Sequence, residues 1–157
     1  MPKKIDLEKE SARILKELLK LIGIKGEVVS NLRTENGEKV INMEILAPEE
    51  SGILIGAKGS NLNALQSFVA MSLRQKTGEW TRVSLDVGEW RARHADYLKS
   101  LANQAAERAR STGEPQYLYN LTPFQRRIVH THLSDFDDIV TQSEGEGTSR
   151  FLVVKTK

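Results

Sequence analysis

Cysteine is absent from the 157 residues. That excludes a disulfide framework, a thiolate zinc site and a cysteine nucleophile. Histidine occurs only as His94, His130 and His132. The last two are two apart on a predicted helix and diverge, so no metal-ligand spacing exists. Apolar runs are only a few residues long, so nothing in the sequence is expected to span a bilayer. No basic segment followed by an apolar one opens the chain, and no secretory signal is expected. A reducing cytoplasm is the natural home for such a composition. Bulk charge is also small: 23 basic against 21 acidic residues give +2. Split after Gly88, the two parts carry 13 and 12, then 10 and 9, so each nets +1. A nucleic-acid surface would therefore have to come from local placement of charge.

What is present is enough for a core. Apolar residues make up 39% and charged residues 28%, which suits one ordinary domain or two small ones. Leu7, Ile14, Leu15, Leu18, Leu19 and Ile22 recur at helical spacing, predicting a helix over 7–22 that Gly23 ends. Alternation over 28–33 and 41–46, around the turn signal Asn36-Gly37, predicts a hairpin. A short apolar turn, 53–55, leads to Gly56-Ala57-Lys58-Gly59, and a helix follows to about Thr77. Residues 81–87 alternate as a strand, with Val83, Leu85 and Val87 inward. A long helix is expected over 89–111, with Trp90, His94, Leu98, Leu101 and Ala105 as its apolar stripe. A short strand at 116–121 precedes Thr122-Pro123-Phe124-Gln125, which reads as a helix start with a capping box. That helix runs to about Leu133, packed through Phe124, Ile128, Val129 and Leu133. Strands at 139–143 and 150–155 close the chain. No internal repeat is visible. The natural boundary falls near Gly88.

Two local patterns suggest chemistry. Glycines at 56 and 59 let a phosphate backbone approach closely, the following helix offers free N–H groups, and Lys58 adds a charge. A bare Gly-x-x-Gly is common and also serves as a plain corner between helices. A nucleotide-binding loop of the Gly-x4-Gly-Lys-Ser/Thr kind does not fit, because Lys58 precedes Gly59. The second pattern is Arg126 and His130, four apart and so on one helix face, with Arg127 beside them. A guanidinium fork and an imidazole on an exposed face can hold phosphate or a base. The same spacing also describes an ordinary solvated face.

The context of each pattern is more specific. The stretch 53–66, with the hairpin before it and the strand after it, resembles a type II KH domain of order α-β-β-α-α-β. That resemblance implies that Gly56, Ala57, Lys58 and Gly59 clamp about four nucleotides of single-stranded backbone. Bases would lie between the loop-flanking helices and the sheet edge, with Ile53 and Ile55 helping to line the groove. Residues 122–130, the turn 143–147 and Arg150-Phe151-Leu152-Val153-Val154 resemble the R-three-H domain, named for its Arg-x-x-x-His signature. That match implies Arg126 and His130 as signature residues, with Arg150 as the basic residue of the closing strand joining them; Arg127 is either an added contact or a contribution to solubility.

The two motifs in this order, with Trp90-Arg91 after the third strand, resemble the bacterial Jag/KhpB (EloR) family, whose genes are associated with the membrane insertase SpoIIIJ. The resemblance covers about residues 5–156. Many relatives carry an additional N-terminal Jag-N domain and a charged linker; here the chain is expected to start almost directly at the KH helix. The resemblance implies an α+β chain of two small domains, KH at 1–88 and R-three-H at 89–157 with the linking helix. It implies a cytoplasmic, non-enzymatic binder of single-stranded RNA, with single-stranded DNA not separated from it by the residues themselves. It further implies post-transcriptional regulation linked to cell elongation and division, and a small KhpA-like KH protein as partner. The alternative is an adapter whose KH surface mainly binds protein. No catalytic residues, cofactor or metal are expected. Asp135, Asp137 and Asp138 read as a solvated turn, and neither Ser60 nor Ser143 has a His/Asp signature around it.

Overall fold

A computed structural model describes residues 5–157. The chain divides into two compact α+β units, the first ending at Arg91 and the second beginning at Ala92. Each has its own core.

The first unit opens with α1 (Leu7–Leu21). Asp6 caps it by accepting from the Lys9 N–H, Glu8 and Glu10 occupy its first turn, and Lys20 its last, all of which complement the helix dipole. Ser11, Ile14, Leu15 and Leu19 are buried, whereas Ile22, expected in the stripe, is the exposed C-cap. Strands β1 (Glu27–Glu35) and β2 (Glu38–Leu46) pair antiparallel, with Glu35 opposite Glu38. Asn36 and Gly37 both take positive φ, 51° and 82°, as a two-residue hairpin turn compatible with strand twist requires. The predicted apolar turn is a one-turn helix, α2 (Ser51–Ile55), and a 3-10 turn (Ala57–Gly59) leads into α3 (Ser60–Thr77). Strand β3 (Arg82–Val87) lies parallel to β2, giving the order β1-β2-β3 with β3 at an edge. The element order is the α-β-β-α-α-β expected. Its core joins Leu15, Ile41, Ile45, Leu54, Leu62, Leu73 and Leu85. Each such side chain contributes roughly 1.5–3 kcal/mol by leaving water.

Helix α4 (Trp90–Thr112) starts after Gly88 and Glu89, both at positive φ. Trp90 packs against the first core, while Leu98, Ala102, Ala105 and Ala106 belong to the second. The expected stripe needs correction here. Leu101 is only half-buried, and Ala102, Ala106 and Ala109 lie inside instead. Alanine brings the helix close to its neighbours without filling space, so bulk alone misreads the face. Strands β4 (Gln116–Leu118), β5 (Ile139–Glu144) and β6 (Phe151–Thr156) form an antiparallel sheet of order β4-β6-β5. Helix α5 (Pro123–Leu133) packs on it through Val129 and Leu133. Phe124, expected to pack α5, is 67% exposed: it stands in the first turn, where the helix leaves the core.

Among the described residues, no helix is long and apolar enough to cross a membrane.

Candidate nucleic-acid interface

The glycine loop is built by two contacts that fix its shape. Gly56 ends α2 at φ 69°, donating its N–H to the Gly52 carbonyl. A Cβ at Gly56 would fall 2.6 Å from the Asn61 side chain, which itself donates to the Ile53 carbonyl at 2.7 Å. Gly59, at φ 82°, is the N-cap of α3, and a Cβ there would fall 2.4 Å from the Trp90 indole. Both glycines are thus demanded by φ and by close packing, independently of any ligand. Ala57 and Lys58 are exposed between them, Lys58 at φ 53°. No side chain caps the first turn of α3. Its N–H groups and the positive end of the helix dipole thus sit beside the loop.

Two concavities lie along α3, the first of them beside this loop. One, about 380 Å³ and almost wholly apolar, lies among α1, α2 and α3, with Ile53, Leu54, Leu65 and Phe68 in its wall. Ile53 is 68% exposed and Ile55 half-buried, so Leu54 is the residue of α2 that enters the core. The other, about 350 Å³, runs between α3 and the β3 edge and includes Met71, Trp80 and Arg82. Next to it the edge is partly closed. Gln66 accepts the Leu85 N–H at 3.0 Å, and Arg91 donates to the Leu85 carbonyl at 2.8 Å and to Gln66 and Asn63 at 3.1 Å.

In the second unit, the expected capping box forms. Gln125 donates its N–H to Thr122 Oγ1, and its Oε1 accepts the Thr122 N–H at 2.8 Å. With Oε1 so used, the Gln125 amide nitrogen donates to His94 Nε2 at 2.7 Å. The ring must therefore be neutral and carry its proton on Nδ1. Burial likewise lowers the His94 pKa. One concavity of about 320 Å³ gathers Arg126, Arg127, His130 and Arg150 around Thr141 and Ser143. His130 Nδ1 is hydrogen-bonded to Thr141 Oγ1, and Arg150 Nε donates to Ser143 Oγ at 3.0 Å. Among the described residues, no carboxylate lines the pocket.

The exposed-face expectation holds for His130 and Arg127 but not for Arg126. Arg126 is only 9% exposed, and one of its N–H groups donates to the Leu121 carbonyl at 2.8 Å. It belongs to the wall of the pocket and also ties α5 to the segment before it.

The R-three-H domain model matches residues 96–156, the region holding this pocket. RNA-binding protein KhpB of Clostridium symbiosum is 32% identical over 76% of this chain and 54% of its own length. KhpB of Bacillus subtilis is 28% identical over 98% of this chain and 73% of its own. KhpB of Lactiplantibacillus plantarum is 30% identical over 81% and 39%. These matches, together with the R-three-H match, fit the KhpB family. The chain spans about half the length of the Clostridium relative. All three KhpB proteins are named as RNA-binding proteins and not as enzymes.

Within this chain, Arg126, Arg127, His130 and Arg150 share one pocket, and residues 56–59 form one loop. Sequence reasoning missed Asn61 and Trp90 as supports of the loop, and Thr141 and Ser143 as partners of His130 and Arg150. Alternation along β5 was the available signal for the last two, since they share the face of Ile139. Nothing in the sequence marked Asn61. Among the described residues, no group of three His, Asp or Glu side chains is placed to hold a metal. Asp138, from the acidic cluster, is paired with Arg110 at 2.6 Å, and that hydrogen bond lowers its pKa.

Proposed function

We propose that this chain binds single-stranded RNA without catalysing a reaction, at two places. The KH-type loop Gly56-Ala57-Lys58-Gly59 holds one stretch of backbone, and the pocket of Arg126, Arg127, His130 and Arg150 holds another. The observation that carries this is the meeting of three guanidinium groups and an imidazole around one carboxylate-free concavity. Guanidinium forks match phosphate geometry. The names of the KhpB relatives support RNA as the polyanion. Linkage of two weak sites raises affinity through effective concentration. In this reading the chain acts in the cytoplasm in post-transcriptional control connected with elongation and division, alongside a small KhpA-like KH protein.

The test is fluorescence anisotropy with a labelled single-stranded RNA across a salt series. Phosphate contacts give a steep negative slope of log affinity against log salt. Arg127→Ala and Arg150→Ala should each reduce the magnitude of that slope by about 1. A flat slope, or an unchanged slope in both variants, overturns the assignment. The adapter reading has one observation of its own, the apolar concavity among α1, α2 and α3 with Ile53 and Phe68 exposed at its rim. It predicts that charged substitutions there abolish capture of a protein partner and leave RNA affinity alone.

A further inference from the structure

Strand β5 carries two hydroxyls at positions whose cross-strand neighbours are aliphatic. Alternation turns Ile139, Thr141 and Ser143 to the side of the sheet on which α5 packs, and Ile139 is buried in the second core. Thr141 stands opposite Val154 and Ser143 opposite Leu152, both of which are buried. A strand face that only fills a core continues in apolar residues. Here Thr141 and Ser143 are half-buried and line the basic pocket. Each is hydrogen-bonded to a nitrogen of that pocket, Thr141 Oγ1 to His130 Nδ1 and Ser143 Oγ to Arg150 Nε.

Phosphate oxygens only accept hydrogen bonds, and guanidinium groups only donate them. Arg126, Arg127 and Arg150 therefore suffice for a phosphate. The hydroxyls add acceptors, for which a phosphate has no use. Ser143 Oγ, taking the Arg150 N–H, keeps a lone pair and its own proton. Thr141 and His130 share one hydrogen bond, and whichever donates it, the pair keeps a donor and an acceptor for a ligand. Such a floor matches a ligand group that both donates and accepts. In RNA the 2′-hydroxyl is that group, and its carbon adjoins the one that carries the 3′-phosphate. A phosphate seated on the guanidinium groups brings this hydroxyl into the same concavity, which at about 320 Å³ is the size of a small-ligand cleft. DNA has a hydrogen there and offers the two side chains nothing. We propose that Thr141 and Ser143 read the ribose 2′-hydroxyl, so that this pocket selects RNA over DNA. The inference rests on the RNA-binding reading above and adds to it the residues that separate the two nucleic acids.

The test uses the full chain and anisotropy with three labelled ten-nucleotide single strands of one sequence free of uracil and thymine: RNA, DNA and 2′-O-methyl RNA. Wild type should bind RNA about fivefold tighter than DNA, the size of one net hydrogen bond. The 2′-O-methyl strand keeps the RNA-like sugar but cannot donate, and should bind no tighter than DNA. Thr141→Val and Ser143→Ala remove a hydroxyl with little change of shape, and each should shrink the RNA-to-DNA ratio. Thr141→Ser and Ser143→Thr should keep it. The salt slope should stay unchanged in all four, because no phosphate contact is lost. Circular dichroism checks folding, and the comparison of three strands on wild type needs no variant. Hydroxyls that merely hold His130 and Arg150 in place would weaken RNA and DNA alike; an undiminished ratio in a folded Thr141→Val/Ser143→Ala protein therefore overturns the inference. So does a 2′-O-methyl strand that binds as tightly as RNA, or equal affinity of wild type for RNA and DNA. In each of these cases Arg127→Ala still lowering the salt slope leaves the RNA-binding reading standing. Wild type that binds none of the three strands overturns both.

Discussion

Arg126→Ala should destabilise the second unit before it weakens binding. The side chain is 9% exposed, and its guanidinium donates to the Leu121 carbonyl at 2.8 Å. A hydrogen bond from a charged donor contributes roughly 1.5–3 kcal/mol net. The pocket is open to water, which can reach the abandoned carbonyl, so the low end applies. Loss of the packed stem adds about 1 kcal/mol. The total of about 2.5 kcal/mol corresponds to a fall of roughly 10–20 °C in Tm for a unit of this size. Thermal unfolding followed by circular dichroism reads it directly. Two further variants separate the causes. Arg126→Met keeps the stem and should recover about half the loss, while Arg126→Lys keeps stem and charge but not the fork, and should recover more. Arg127→Ala, on an exposed neighbour, should stay within about 0.5 kcal/mol of wild type. An Arg126→Ala protein as stable as Arg127→Ala would refute the structural role, and both residues would then count as surface contacts only.

Gly59→Ala should cost more than Gly56→Ala, about 2–4 against 1–2 kcal/mol, because Gly59 faces a rigid indole and Gly56 a movable asparagine, both at positive φ; chemical denaturation gives the order, and Trp90→Leu should relieve part of the Gly59→Ala loss. Ala57→Asp with Lys58→Asp should preserve the fold, since both residues are exposed and Asp tolerates the left-handed backbone of position 58, yet lower RNA affinity at least tenfold in anisotropy, by repulsion of phosphate. The lowered pKa of half-buried His94 means that the unfolded chain takes up its proton first. Stability contributed above pH 6.5 is therefore lost as pH falls through that value, and His94→Gln should flatten this limb of a denaturant-midpoint profile. Glu10 is held down to about 2 by hydrogen bonds from Arg13 and Lys76. Its contribution, present above pH 4.5, is lost as pH drops toward 2; Glu10→Gln should flatten that acid limb and cost under about 1 kcal/mol at neutral pH, as exposed pairs do.

The elements were legible wherever local chemistry fixes them. Asn36-Gly37 specifies a two-residue turn, Thr122 to Gln125 specifies a helix start, and the alternation of Val83, Leu85 and Val87 specifies a half-buried strand. The pocket residues were legible because Arg126 and His130 share a helical repeat and Arg150 opens a strand. The degree of burial was not. An arginine at helical spacing from a histidine says nothing about what Leu121 offers across the turn, and that carbonyl draws Arg126 inward. The alanines of α4 were passed over for the same reason: close approach is a property of the partner surface. The support of Gly59 by Trp90 joins residues far apart in the chain, and no local pattern encodes such a pair.

The seating of Trp90 on Gly59 also gives the loop a built-in optical reporter. Indole emission shifts with the polarity and rigidity of what touches it, and this ring touches the backbone proposed to clamp phosphate. The chain has only one other tryptophan, Trp80, which is 63% exposed. Replacement of Trp80 with phenylalanine leaves a single chromophore, and an RNA strand drawn onto residues 56–59 would then announce itself in intrinsic fluorescence without any label.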